Sequence, residues 1–367
     1  MNPRLKAQIV KELLSYLRDP RTRLVLVGPP LLQLFLFSFA ATLEVRNIEV
    51  AVFDEDAGRA SYELLARIEA SSFVSELVPV HSTGGLRDLL NRRKALVAIH
   101  IPADFSRDLA AGRPAHAQLL VDGRRANSGQ IAAGYLSSVI AAFEAAPTGE
   151  TGSAASPIAV RHWFNPNLIY RWFIVPGLAA ILAMLTSLLV TGLSIARERE
   201  MGTFDQLLVS PASPIEIVIG KMVPALILGT LLGLLMVGAG VFAFRIPFSG
   251  SFGLLLLALL VFILSVVGVG LMISSVCRTQ QQAILGIFAV AVPVILISGF
   301  ATPVENMPYV LQLLAEASPL KHFLIIVQGT FLKALPASDV FANLWPMLVI
   351  AAVTLSTAVV IVKGRLQ

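Results

Sequence analysis

The stretch WFIVPGLAAILAMLTSLLVTGLSIA, Trp172 to Ala196, contains no Asp, Glu, Lys or Arg. A helix rising about 1.5 Å per residue needs roughly 20 apolar residues to cross a hydrocarbon core of about 30 Å. A charge at the centre of such a helix costs roughly 2.5–3.5 kcal/mol. A charge-free run of this length is therefore a physical signature of a bilayer crossing. The signature recurs at Leu24 to Leu43, Met222 to Phe244, Ile246 to Cys277, Thr279 to Val304 and Val340 to Val362. The chain reads as an all-α membrane protein with six transmembrane helices.

Composition agrees. Of 367 residues, 56% are hydrophobic and 14% charged, against about 25% charged in soluble domains. The single cysteine, Cys277, excludes an intrachain disulfide and a cysteine-cluster metal site. Residues 1–21 carry Arg4, Lys6, Lys11, Arg18 and Arg21 against Glu12 and Asp19, which places this end in the cytoplasm by the positive-inside rule. Leu5, Ile9, Val10, Leu13, Leu14 and Leu17 share one broad helical face, with Lys11, Glu12 and Arg18 away from it. That pattern predicts an amphipathic helix lying on the membrane surface, broken at Asp19-Pro20 before the first span at 22–43. That span is too long for a leader peptide and lacks a small-residue cleavage site, so it reads as uncleaved.

Residues 44–170 form the one large polar region. Strand-like runs (Ile48 to Phe53, Phe73 to Val80, Ala95 to Ile101, Ala117 to Val121) alternate with helix-like ones (Tyr62 to Ala70, Leu86 to Arg93, Phe105 to Ala111, Gln130 to Ala145). Alternation of this kind predicts a small α/β domain. One crossing from a cytoplasmic N-terminus puts it outside, in the periplasm. The second span, 171–196, returns the chain to the cytoplasm. A short segment, 197–213, precedes spans three to six within 214–363. Arg197, Arg199, Lys221 and Arg278 then fall in cytoplasmic connections, and both termini are cytoplasmic. Within 303–333 the run from His322 to Leu332 is apolar but too short to span.

No phosphate-binding loop, zinc-protease motif or nucleophile elbow is present. Basic residues spread over two sides of a membrane argue against nucleic acid as a partner. No charge falls inside the apolar runs, whereas ion-coupled carriers usually need intramembrane ionisable groups. The chain therefore reads as lacking its own energy source. After the second span comes Arg197-Glu198-Arg199-Glu200, then a Gly202-Thr203 break, then a short amphipathic segment with Leu207 and Leu208 that stops at Pro211.

This order resembles the permeases of the ABC-2 family of ATP-driven exporters. The resemblance extends to Asn165-Pro166-Asn167, to Gln280-Gln281-Gln282 and to Ser298-Gly299-Phe300 with Pro303-Val304-Glu305-Asn306-Met307-Pro308. It is nearest to the long-form bacterial multidrug-type subfamily with a periplasmic domain after the first span. It implies that an ATPase subunit, which would hold the ATP and Mg, docks on Arg197, Glu198, Arg199, Glu200, Gly202, Thr203, Leu207, Leu208 and Pro211. Glu198 and Glu200 are expected to make the ionic contact. It also implies a second permease subunit (identical or paralogous), a periplasmic membrane-fusion adaptor as in relatives, and an outer re-entrant loop near 303–333. The permease itself is expected to bind no cofactor or metal and to be no enzyme.

Thr186, Thr191, Ser298 and His322 are candidates for a substrate path, although hydroxyls in spans usually bond to their own helix. Two other classes fit parts of the pattern. One is a secondary carrier, and the other is a membrane sensor or scaffold with a ligand-binding external domain.

Overall fold

The computed structural model describes residues 3–40, 47–92, 94–144, 164–165, 169–204 and 213–366. Leu207, Leu208, Pro211, Pro166 and Asn167 lie outside them. Met1–Ala41 with His162–Gln367 form one compact unit, and Thr42–Arg161 form a second. In chain order the elements are α1 (Pro3–Arg18), α2 (Pro20–Ala40), β1 (Ile48–Asp54), α3 (Arg59–Glu69), β2 (Val74–Pro79), α4 (Thr83–Asn91), β3 (Val97–Ile101), α5 (Phe105–Ala110), β4 (Gln118–Val121), α6 (Ala126–Glu144), α7 (Tyr170–Glu200), α8 (Pro214–Phe242), α9 (Phe252–Val276), α10 (Gln280–Ile297), α11 (Tyr309–Glu316), α12 (Pro319–Leu332) and α13 (Ala337–Leu366).

In the first unit five helices are each long and apolar enough to cross a membrane: α7, α8, α9, α10 and α13. Two bent pairs supplement them. Leu5–Arg18 meets Arg23–Phe39 at 64°, and Tyr309–Glu316 meets Pro319–Leu332 at 77°. The apolar spans among the described residues thus number five to seven. The first bend falls where Asp19-Pro20 forbids a continuous helix.

α7 is the hub. It packs on α2, α8, α9, α10 and α12, and 83% of its apolar window is buried, against 17% for α10. Small residues let its neighbours approach. A side chain at Gly270 would run into Thr191, and one at Gly229 would meet Ile263 at 2.8 Å. Among the described residues a Cβ at Gly238 would meet only Phe242 of its own helix, at 4.0 Å. α12 is pinned deep in the unit. Phe323 stacks on Phe262 with ring centroids 4.3 Å apart. The amides of Ser249 and Gly250 donate to the carbonyls of Phe331 and Thr330 at 3.2 and 2.8 Å.

One expectation is corrected here. Lys221 lies not in a connection but two turns inside α8, and helices long and apolar enough to span carry buried ionisable side chains, Lys221 on α8 and Glu198 on α7. α8 begins at Ser213-Pro214, where Ser213 Oγ accepts from Glu216 N (3.3 Å) and Glu216 Oε2 accepts from Ser213 N (2.9 Å). This reciprocal cap, with Pro at the first helical position, starts the helix two turns before the charge-free run.

The second unit is a four-stranded sheet of order β2-β1-β3-β4, with β1 parallel to β2 and β3, and β4 antiparallel to β3. Side chains alternate across it. Val50, Val52, Val97, Ile99 and Ile101 face α3 and α6, burying Leu64, Ile68, Ala132 and Leu136. Ala51 and Ala98 face α4 through Leu86. The two crossovers run in opposite directions from their strands, so connections of one hand must place α3 and α4 on opposite faces.

At the carboxyl ends of β1 and β3, Asp56 accepts from Ser106 N at 3.0 Å, from Gly58 N at 3.2 Å and from the Ser106 hydroxyl. A Cβ at position 58 would lie 2.5 Å from the Asp56 carboxylate, so the turn requires glycine. Burial pulls the Asp56 carboxyl up, but the bonds from Ser106, Gly58 and Ser61 outweigh it and hold the group below its ordinary value. A folded pKa below the unfolded one stabilises above the unfolded pKa and is lost as pH falls through the folded one. Protection of the Gly58 and Ser106 amides in the full chain is expected to fall below about pH 4. Asp56→Asn should weaken it at neutral pH and flatten that pH dependence. An unchanged pH profile in the variant would refute the role of the carboxylate.

Candidate functional site

α7 ends in a glycine-terminated cap. The amide of Thr203 donates to the Glu198 carbonyl (2.9 Å) and that of Gly202 to Arg199 (3.1 Å), with Gly202 at φ 70°. This left-handed residue satisfies the last carbonyls and stops the helix. The four preceding charged residues are fixed on different faces of the last turn. Each finds a different environment.

Arg199 reaches the C-terminal end of α9, donating to the carbonyls of Ser275 (2.7 Å) and Cys277 (3.0 Å). Its guanidinium also lies 4.7 Å from the centre of the Phe204 ring. A cation there satisfies orphan carbonyls and complements the helix dipole. Glu200 accepts from the Gln280 amide at 2.8 Å, at the positive N-terminus of α10. Arg197 is exposed.

Glu198 turns inward and is 7% exposed. Its Oε2 lies 2.8 Å from Lys221 Nζ, and its Oε1 lies 3.5 Å from Lys11 Nζ. The short contact to Lys221 lacks hydrogen-bond geometry, so the attraction is ionic. Lys221 donates instead to Glu12 Oε1 (3.1 Å) and to the Ser194 carbonyl (3.4 Å). The Lys221 side chain is fully buried. Three segments distant in sequence therefore meet on one ammonium.

α1 crosses α8 at Gly220, where the Gln8 side chain, one turn before Glu12, occupies the space a Cβ would take, 2.6 Å away. One turn further on, the Tyr16 hydroxyl donates to the Val190 carbonyl at 3.1 Å. Burial first, then Glu12, raises the phenol above its ordinary range while Arg197 opposes them, so it remains a donor. The inward side of α1 is thus mixed: Glu12 and Tyr16 turn in beside half-buried Ile9 and Leu13, while Val10, Leu14 and Leu17 point outward with Lys6, Lys11 and Arg18.

A cavity of about 560 Å³ opens beside this junction. α2 contributes Pro29 and Gln33, α7 runs along it from Leu182 to Arg197, and α10 closes it with Gln280 and Phe288. Of the expected path residues, only Thr186 lines it. Its hydroxyl donates to the Leu182 carbonyl (2.9 Å). Thr191 bonds Ser187 O (2.7 Å) and faces Gly270. Ser298 bonds Ile295 O (2.7 Å) at the end of α10. The His322 ring sits between Asn343 Oδ1 (3.2 Å) and the Glu316 carbonyl (3.0 Å).

Sequence reasoning missed Glu12, Tyr16 and Lys221. The capping box Ser213-x-x-Glu216 was the available signal. It moves the helix start back and carries Lys221 inside.

A bundle of apolar spans interrupted by one α/β domain, with a charged junction at the end of its central helix, defines a multi-span membrane protein of the transporter type. The chain matches the family model described as "ABC-2 family transporter protein" over residues 21–360, and it belongs to the ABC-2 family. It is 44% identical over 365 residues to the "Probable multidrug ABC transporter permease YbhR" of Escherichia coli (strain K12), covering 99% of each chain. It is 29% identical to the "Probable multidrug ABC transporter permease YbhS" of the same organism, covering 90% of this chain and 88% of that one. To the "Inner membrane transport permease YhhJ" it is 28% identical, covering 92% and 90%.

Lys221→Met leaves two buried carboxylates facing each other and should destabilise the protein by about 3–5 kcal/mol. Thermal unfolding in detergent would register this as a lower midpoint. Adding Glu12→Gln and Glu198→Gln should recover most of the loss. A triple variant no more stable than Lys221→Met would show that the cluster is not held together by charge.

Proposed function

We propose that this chain is the membrane-spanning subunit of an ATP-binding-cassette exporter, powered by an ATPase on a separate subunit. The carrying observation is the junction at the end of α7. Arg199 and Glu200 tie it to the α9–α10 turn, and Glu198 ties it to α1 and α8. Force delivered to the segment after Gly202 therefore reaches five helices at once. In this reading Leu207, Leu208 and Pro211 form the docking contact, Arg197 to Glu200 with Gly202 and Thr203 form its root, and Glu198 acts through Lys221 rather than on the ATPase directly.

α2 is the first of six spans, the bent pair α11–α12 is an outer re-entrant loop, and both termini are cytoplasmic. The domain between α2 and α7 is then periplasmic. Buried placement of α12 supports the re-entrant reading, because backbone at membrane depth is tolerated where protein covers it. Relatives named as multidrug and inner-membrane permeases support an inner-membrane location and amphipathic or lipid-like cargo. Similarity to both YbhR and YbhS supports pairing with a second permease, either a copy or a paralogue.

The buried Lys221 cluster favours a gradient-driven carrier, as the buried His322 beside Asn343 does more weakly. Against this, the charges of the cluster are internally balanced and Lys221 does not line the cavity.

Affinity purification of the full chain from its native membranes in mild detergent should return an ATP-binding-cassette ATPase. The double variant Leu207→Asp with Leu208→Asp should lose it. Absence of any ATPase from the wild-type preparation, or transport that stops on collapse of the ion gradient while ATP stays high, would overturn the exporter reading.

A further inference from the structure

Resting on the exporter reading, we propose that the cavity between α2, α7 and α10 is an entry site for single-chain anionic amphiphiles, with the acidic head on Arg197 and the apolar chain along the helices. Four observations lead there. First, the cavity is of drug-ligand size, about 560 Å³, within the roughly 300–1,000 Å³ of small-molecule sites. It is elongated, since its lining on α7 runs from Leu182 to Arg197. That is about 22 Å at 1.5 Å per residue, more than half the hydrocarbon thickness.

Second, its walls are Leu, Ile, Val, Pro and Phe, with no Asp or Glu among the lining residues. Third, the charged group of the lining sits at one end. Arg197 and Gln280 lie where α7 stops and α10 begins, Tyr16 reaches the Val190 carbonyl near the middle, and Thr186 and Gln33 lie further along α7 and α2.

Fourth, the carboxylates that surround Arg197 in sequence are spent elsewhere. Glu198 faces Lys221 and Lys11, and Glu200 accepts from Gln280. Among the described residues Arg197 makes no hydrogen bond or ion pair, in contrast to Arg199 two residues on. The Tyr16 and Thr186 hydroxyls are already committed to backbone carbonyls. An exposed guanidinium at the mouth of an apolar slot is complementary to an acid that carries an apolar chain. Its planar fork takes carboxylate or phosphate in a bidentate pair. Neutral amphiphiles gain the slot but not the head contact, so charge sets the selectivity.

The test uses the purified full-length permease in phosphatidylcholine nanodiscs, without ATPase or nucleotide. The probe is 11-(dansylamino)undecanoic acid, compared with its methyl ester, with empty nanodiscs subtracted. The acid should bind at least about ten-fold more tightly than the ester, a 1.4 kcal/mol difference. Arg197→Ala should abolish that ratio, and Arg197→Lys should keep part of it. Leu189→Trp, which fills the slot without touching charge, should weaken both probes together. An acid-to-ester ratio unchanged by Arg197→Ala would overturn the proposal, as would equal binding of the two probes to the wild type. Because no ATPase enters the assay, such a failure leaves the exporter reading intact. Loss of ATPase co-purification would defeat that reading without touching this result.

Discussion

A buried ammonium cannot stand alone in a low-dielectric interior, and the architecture at one end of this bundle follows from that constraint. Removing an ion from water costs several kcal/mol even after relaxation. Lys221 has no exposed side-chain surface, so it needs anionic partners within reach. One comes from the last turn of α7 and another from α1, which lies far away in sequence. Each partner imposes a requirement on the chain near it. Glycine at 220 leaves room for the Gln8 side chain of α1, the bend after Arg18 lays α1 back against α8, and Gly202 ends α7 just past Glu198. The ion cluster is weak evidence for high stability. It is better understood as a device that fixes which helices meet, because only one register of α1 on α8 places Glu12 on the ammonium.

The same constraint explains what could and could not be read from the sequence. The α/β domain was legible almost element by element. Its strands alternate side chains with period two, and its turns carry Pro, Gly and Asp. The run read as Ala95 to Ile101 is a strand at Val97–Ile101, and Tyr62 to Ala70 is a helix at Arg59–Glu69. The apolar cores of the spans were equally plain. The charged junction was not. A charge-free run stops at Lys221, and nothing local in the sequence marks the compensating charge supplied by a residue 209 positions away. Glu12 was hidden for a related reason. Apolar periodicity lays α1 on the membrane surface with Glu12 off its apolar face, and nothing local marks that this residue meets a partner on α8.

The hydroxyls of α7 illustrate a second limit. Thr186 and Thr191 were candidates for a path in sequence, but the usual behaviour of hydroxyls in spans holds: Thr186, Ser187, Thr191 and Ser194 each bond a carbonyl of their own helix. Such back-bonding hides the polar atom and leaves a small, compact surface. Thr191 uses that surface to meet Gly270, and Ser187 to meet Gly229. Spacing alone cannot separate a hydroxyl that lines a path from one that packs, since the two differ only in what the opposite helix presents.

These features divide the bundle mechanically. At the junction α1, α7, α8 and the α9–α10 turn are joined by charge and by backbone carbonyls, so they resist separation there. α10 differs along the rest of its length. Little of its apolar window is buried, and Ile284, Ile287 and Phe288 form one wall of the cavity. A helix with few buried contacts is the least costly element to displace. In the proposed exporter a push on the root of α7 moves a stiff block, while the side of the cavity that yields is α10, hinged at the Gln280 amide that Glu200 holds. The charged run Arg197 to Glu200 thus combines two roles in one helical turn. Three of its residues make the block stiff, and the fourth faces the space that the block's motion would open or close.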